Sequence, residues 1–310
     1  MTLNVLFAAR PERWESYEPI LKSEFARQGL DVALATDHPP ETVDYIIYAP
    51  NGPVQDFTAY TRCKAVMNLW AGVEQIVGNE TLTQPLTRMV EEGLTNGMAE
   101  WVTGHTLRYH LEMDLDLARK PGDWSQHNPP LARDRPVTIL GLGQLGQAAG
   151  RMLAGIGFPV TGWSRTQKDV EGITCLSGDD GLLEALKTAQ VLVLLLPDTP
   201  ATTNIINPES LALLPKGAVI LNPGRGPLID DDALLAALDL GQVAHATLDV
   251  FRTEPLPGDH PYWHHPKVTV TPHIAAETRP ATAARVVAEN IRRGEAGEPF
   301  LYLVDRDQGY

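Results

Sequence analysis

At 310 residues the chain has the length of about two domains of the usual ~150 residues, enough to build full cores without disulfide or metal staples. It carries 25 lysines and arginines against 39 aspartates and glutamates, a formal charge of −14, with no basic block of the kind that tracks a phosphate backbone, which sets nucleic acid aside as a partner. The longest apolar run, residues 191–196, is too short to span a bilayer, Cys63 and Cys175 form no zinc or disulfide pattern, and "MTLNVLFAAR" has no basic leader, so the expectation is a soluble cytoplasmic protein without membrane or metal.

In chain order, short β-branched or apolar runs at residues 4–9, 31–36, 44–49 and 65–70 read as strands. Between the first two, Trp14, Tyr17, Leu21 and Phe25 recur at helical spacing ahead of Gly29, a C-terminal stop. From Gly97 to Lys120 runs a segment with few breakers, followed by the polar, proline-rich connector "KPGDWSQHNPPLARDRP". Further strand-like runs stand at 137–140, 160–163, 191–196, 218–222, 245–250 and 268–271. Strands alternating with helical stretches predict an α/β protein with parallel sheets. A second unit begins near residue 100, and the chain returns to the first after about residue 275.

The segment "VTILGLGQLGQAAGRMLAGIG" feeds a strand into Gly141, Gly143 and Gly146 and then into a helix, the context a dinucleotide fingerprint requires. Gly141 permits the tight turn, Gly143 lets a pyrophosphate approach the backbone, and Gly146 allows close helix packing at an N-terminus that favours phosphate charge. An NAD site places a carboxylate about 20 residues on, at the end of the second strand. There the chain has Ser164, Arg165 and Thr166 instead. A carboxylate about 4 Å from a 2′-phosphate would repel it by roughly 4 kcal/mol per charge pair at an effective dielectric near 20, so its absence, with an arginine in place, predicts NADP(H) in preference to NAD(H).

Arg225 stands between Gly224 and Gly226, with Pro223 and Pro227 outside them. A backbone shaped on both sides aims the guanidinium at an anion. Glu254 follows 29 residues later in a proline-bounded loop and His273 another 19 later, each just past a predicted strand, on the rim where open α/β sheets bind ligands. This trio suits a 2-keto acid. The arginine grips the carboxylate and polarises the neighbouring carbonyl, while a histidine whose other nitrogen is held by a carboxylate gives a proton to the carbonyl oxygen as hydride arrives. The other eight histidines have no such setting.

The strings "GLGQLG", "LLLPDTPATTNIIN", "LLPKGAVILNPGRGPLIDDDALLAALDLGQVAHATLDVFRTEPLP" and "HHPKVTVTPHIAAETRP" resemble the D-isomer-specific 2-hydroxyacid dehydrogenase family. "WAGVEQI", "WSRT", "EPLPGDHPYWHHP" and the ending "VDRDQGY" are similar to its glyoxylate/hydroxypyruvate reductase A branch. The match covers most of the chain from about Ala65, and the first 60 residues follow it only in pattern. The resemblance implies two Rossmann or flavodoxin-like domains around a cleft, with the NAD(P)-binding domain (101–275) inserted into the substrate-binding domain (1–100 and 276–310), and a homodimer. It makes Arg225, Glu254 and His273 the catalytic three. Ala71 and Gly72 become the turn whose amides hold the substrate carboxylate. Gln144, Leu145 and Gly146 offer backbone amides to the pyrophosphate; Pro197, Thr203 and Asp249 are further cofactor contacts, with strand-end capping the other reading of Asp249. Glu74, following Val73 in the substrate turn where many members carry an aspartate, and Pro223, in place of a small residue, depart from the pattern. Trp124 lies in a stretch resembling an arm that reaches a partner's active site in related reductases; a packing tryptophan is the other reading.

Three functions remain open at this point. The leading one is NADPH-dependent reduction of glyoxylate, hydroxypyruvate or a similar short 2-keto acid. The second is a dehydrogenase of the same family for a bulky or phosphorylated acid, and the third a non-catalytic, co-repressor-like nucleotide sensor.

Overall fold

Strands that read as unbroken apolar runs must be covered on both faces, and this dictates the layering. The computed structural model describes residues 2–306; "DQGY" (307–310), the end of one of the family-like strings, lies outside the described residues. The chain divides into two units, Met1–Leu94 with Glu277–Tyr310, and Thr95–Ala276. The sequence reading sets the edges at 100/101 and 275/276; the second lies one residue from the observed edge and the first six, because the uninterrupted helix Glu92–His110 crosses it.

The first unit holds β1 (Leu3–Ala8), β2 (Val32–Ala35), β3 (Tyr45–Tyr48), β4 (Ala65–Asn68) and β5 (Leu86–Thr87), with α1 (Trp14–Arg27) after β1. The order is β2-β1-β3-β4-β5, all parallel, as in flavodoxin-like sheets. Alternate residues serve opposite faces: Val5, Phe7, Tyr45 and Ile47 enter one core, Leu6, Ala8, Ile46 and Tyr48 the other. The helical stripe is real, with Tyr17, Leu21 and Phe25 buried and Gly29 at φ +70° beyond the helix end. Its partner comes from the far end of the chain. Ala283, Ala284, Val287, Ala288 and Ile291 of the last helix join the same core, three alanines letting the two helices approach closely.

α2 (Glu92–His110) starts in the first unit and continues into the second, where α3 (Met113–Leu117) follows; Glu112, at φ +56°, breaks the long helical segment. Then follow β6 (Val137–Leu140), α4 (Gln144–Ile156), β7 (Val160–Ser164), β8 (Thr174–Ser177), α5 (Gly178–Thr188), β9 (Val191–Leu194), α6 (Pro208–Leu213), β10 (Ala218–Asn222), α7 (Asp231–Asp239), β11 (Val243–Leu248) and β12 (Val268–Val270). The chain ends its regular structure with α8 (Pro280–Ala296), in the first unit. The seven-stranded sheet runs β12-β11-β10-β9-β6-β7-β8, every pair parallel. Burial falls toward its edges: β6, β9 and β10 are wholly buried, β8 and β12 only partly. Each fully buried valine or leucine of β9 contributes about 1.5–3 kcal/mol relative to exposure. Among the described residues, no helix is long and apolar enough to cross a membrane.

Candidate active site

Because the chain leaves β6 for β7 and β8 on one side and then returns to β9, β10, β11 and β12 on the other, the strand order reverses between β6 and β9. Loops leaving neighbouring parallel strands at such a point diverge and open a crevice at the C-terminal edge. The predicted residues of this unit all follow these ends: Gly141 after β6, Pro197 after β9, Arg225 after β10, Asp249 and Glu254 after β11, and His273 after β12, while Ser164 closes β7.

The glycine loop has the shape its sequence requires. Gly141 sits at φ +111°, donating its N–H to Trp163 O at 2.8 Å, and a Cβ there would stand 2.4 Å from Leu195 O. A Cβ on Gly146 would lie 1.8 Å from Gly141 O, so this glycine makes room for the loop's own carbonyl; strand residue Ile139 is at ordinary contact distance. Gly143, just before α4, faces open space. The amides of Gln144, Leu145 and Gly146 stand in the first turn of α4, whose N-terminus favours negative charge. Open space at Gly143 beside tight backbone packing at Gly141 and Gly146 fits a dinucleotide's phosphates.

At the end of β7, Arg165 and Thr166 are exposed, whereas Ser164 is buried and its Oγ donates to Thr166 O at 2.8 Å. Pro197 begins a loop in which its carbonyl accepts from Thr202 Oγ1 at 2.7 Å; Thr203 Oγ1, in the same loop, lies 3.1 Å from Asp198 Oδ1 and 3.0 Å from Thr199 O.

Arg225 is fixed from both sides. A Cβ on Gly224 would meet Leu194 O at 2.7 Å, and one on Gly226 would meet the Phe251 carbonyl carbon at 2.0 Å, so both flanking glycines are there for backbone contact with neighbouring loops. Buried Asn222 completes the turn: its Nδ2 donates to Arg225 O at 2.9 Å and its Oδ1 accepts from Gly224 N at 3.2 Å. The guanidinium places Nη1 2.7 Å from Gly224 O, and its charge is felt by both Glu254 and His273.

His273 Nδ1 and Glu254 Oε2 are 2.7 Å apart, and Glu254 Oε1 accepts from Phe251 N at 2.9 Å. The hydrogen bond to Glu254 raises the His273 pKa above its ordinary value, against the opposing effect of burial and with further help from the charges of Glu254 and Asp249. Burial pushes the Glu254 carboxyl up, but the hydrogen bonds from His273 and Phe251 and the charges of His273 and Arg225 outweigh it, leaving it below the ordinary carboxylate value. Each partner thus favours the charged form of the other.

His273 adopts φ +54°, a left-handed conformation that costs a non-glycine residue about 1–3 kcal/mol and persists only where its surroundings enforce it. Asp249 enforces it. Fully buried, it accepts from Thr271 Oγ1 at 2.6 Å and Ile274 N at 2.9 Å through Oδ1, and from Ala275 N at 2.9 Å through Oδ2, while its carbonyl accepts from His273 N at 2.8 Å. The strand-end capping reading of Asp249 is thereby present in the geometry.

In the first unit, Ala71 and Gly72 are half-buried in the turn after β4. Asn68 shapes that turn: its Nδ2 donates to Gly72 O at 2.9 Å and its Oδ1 accepts from Trp70 N at 3.2 Å. Sequence reasoning passed over Asn68, Asn222 and Thr271. Their common signal is a polar residue at or just past the end of an otherwise apolar strand.

Residues 106–275 match the family described as D-isomer specific 2-hydroxyacid dehydrogenase, NAD binding domain. The chain is 37% identical over 310 residues to a glyoxylate/hydroxypyruvate reductase A of Yersinia enterocolitica, a match spanning 95% of this chain and 98% of that one. Among solved structures, a D-isomer specific 2-hydroxyacid dehydrogenase from Xanthobacter autotrophicus Py2 in complex with NADPH and MES is 39% identical with a TM-score of 0.93, each chain covered in full. The NADPH-dependent glyoxylate/hydroxypyruvate reductase of Sinorhizobium meliloti, in complex with NADP and sulfate, is 33% identical with a TM-score of 0.87, covering 100% of this chain and 99% of that one.

Proposed function

Since the chain belongs to the D-isomer specific 2-hydroxyacid dehydrogenase family, we propose that it reduces glyoxylate, hydroxypyruvate and similarly small 2-keto acids to D-2-hydroxy acids with NADPH. The observation that carries this reading is the Glu254–His273 pair, 2.7 Å apart, with the Arg225 charge acting on both, on the ends of three adjacent strands in the sheet that carries the glycine loop.

Gln144, Leu145 and Gly146 hold the pyrophosphate by their amides, and Arg165 with Ser164 and Thr166 receives the 2′-phosphate. Pro197 and Thr203 border the nucleotide. Asp249 reaches it only alongside its three loop contacts. NADPH, when bound, supplies the hydride for the keto carbon. Arg225 grips the keto acid's carboxylate and draws electron density from the carbonyl, and the Ala71–Gly72 amides serve the same carboxylate. Glu254 at Nδ1 keeps the imidazolium stable and turns Nε2 to the substrate. From there His273 gives its proton to the carbonyl oxygen as charge develops on it. The unit 95–276 is then the NAD(P)-binding domain and the other the substrate-binding domain. We assign the chain to homodimers through the segment 111–131, which exposes Leu117 and Trp124 at 83% and 89%.

Initial rates with glyoxylate, hydroxypyruvate, pyruvate and phenylpyruvate, each with NADPH and NADH, test the assignment. Fastest turnover of the two small acids with NADPH is expected. Preference for phenylpyruvate or NADH would overturn substrate or cofactor, and no turnover with any pair would return the chain to a nucleotide-binding role.

A further inference from the structure

Arg252 lies between the backbone that Gly226 packs against and the proposed catalytic Glu254, and its side chain leaves its own loop. Its Nη2 donates to Asn204 Oδ1 and to Ile229 O, with Pro227 O at 3.4 Å, and its Nε faces Asp231 Oδ2 at 3.5 Å. Asp231 is itself anchored by the hydroxyl of buried Tyr262, at 2.9 Å. Apart from Asp231, which opens α7, these acceptors belong to two other loops. Asn204 is in the loop after β9, next to Thr203. Pro227 and Ile229 stand in and just after the single 3-10 turn, Gly226–Leu228, that follows Arg225.

The loops after β9 and β10 are already zipped by backbone: Asn204 N donates to Pro227 O at 2.8 Å, Ile206 N to Leu228 O at 3.0 Å, and Asp230 N to Ile206 O at 2.8 Å. The loop after β11 meets them through close packing at Gly226 and through the Arg252 side chain. A lone exposed ion pair contributes about 0–1 kcal/mol and would order nothing. A guanidinium is different here: its outer nitrogen Nη2, one atom further from the backbone than a lysine ammonium, meets acceptors on two loops at once while Nε faces Asp231, all from a backbone fixed in a third loop.

We propose that Arg252 is a positioning residue that staples the three loops carrying Thr203, Arg225 and Glu254 into one register. The proposal rests on the reductase reading for its activity readout. The staple sets how far Arg225 stands from Glu254, and through Glu254 it sets the charge state of His273.

The test compares wild type, Arg252→Met, Arg252→Lys and Asn204→Gly in glyoxylate reduction with NADPH across pH, with NADPH affinity read separately from nucleotide fluorescence and folding from thermal melting. In Arg252→Met, kcat/KM is expected to fall roughly ten- to hundred-fold, the scale of a displacement near 1 Å. The alkaline limb of its pH profile should move to lower pH as Glu254 loosens its hold on His273. Arg252→Lys should resemble Arg252→Met rather than wild type. Asn204→Gly removes one acceptor, and glycine accepts the φ of +55° found there, so it should fold, weaken NADPH binding, and add less than its own effect when combined with Arg252→Met.

A wild-type kcat/KM and pH limb in Arg252→Met would overturn the staple, as would a loss matching only the unfolded fraction. If Arg252→Met does not fold, unchanged NADPH affinity and kcat/KM in Asn204→Gly would overturn it instead. Absence of turnover in the wild type would refute the reductase reading, and the staple would then stand or fall on NADPH affinity alone.

Discussion

Glu254 holds Nδ1 of His273, so the nitrogen left for a substrate is Nε2, and the two charges stabilise each other across 2.7 Å. The sign of the pH effect follows. A histidine whose pKa is raised by a carboxylate stays protonated to higher pH, so with His273 as the proposed proton donor keto-acid reduction is expected below that raised value and should be lost as pH climbs through it. Glu254→Gln keeps the shape and removes the charge. The descending limb of kcat/KM should then shift to lower pH, toward the ordinary histidine value of about 6.5, with the maximum itself reduced. A limb that stays in place would mean that another group supplies the proton. The positions of Arg225, Glu254 and His273 past the ends of β10, β11 and β12 were legible because glycine, proline and apolar runs surround them in the sequence. Asn222 and Arg252 were not, because what matters is where a side chain reaches. Arg252 touches residues as far as 48 positions away, and no local pattern encodes that.

The turn after β10 is built around contacts that tolerate no side chain. Gly226→Ala would drive a methyl to 2.0 Å from the Phe251 carbonyl carbon, which is backbone and has little freedom to give. Overpacking of this kind costs about 1–3 kcal/mol. The variant should melt several degrees lower and lose kcat/KM through displacement of both Arg225 and Glu254. Gly143→Ala is the contrasting case: open space surrounds it, so the melting temperature should hold while NADPH binding weakens. Equal melting of Gly226→Ala and wild type would refute the close approach. At this scale the ten apolar runs in the sequence all became strands. The two strands it did not announce are β5, only two residues long, and β8, "TCLS", a partly exposed edge strand. Both lack the hydrophobic run that marks a covered strand.

In the segment from 111 to 131, Leu115, Leu117, Trp124 and Leu131 expose 57%, 83%, 89% and 58% of their surface. Exposed apolar groups on one excursion of the chain are what the proposed dimer contact would cover. If the proposed homodimer forms through this segment, the wild type should sediment as a dimer, and replacing Leu117 and Trp124 together by serine should shift it to monomer without lowering the melting enthalpy per chain; a monomeric wild type or an unchanged sedimentation coefficient would overturn that assignment. The alternation of strands and helices made the α/β class readable, and the glycine fingerprint located one unit. The edge of that unit was harder to read because a continuous helix spans it. One further consequence lies in the core of the first unit, where Leu21 and Phe25 of α1 rest on Ala284, Val287 and Ile291 of α8. On a ribosome the residues of α1 emerge early and wait through the synthesis of the whole intervening unit before their packing surface exists. The packing surface of α1 is therefore completed only after the intervening unit has been made, which leaves its apolar stripe uncovered meanwhile.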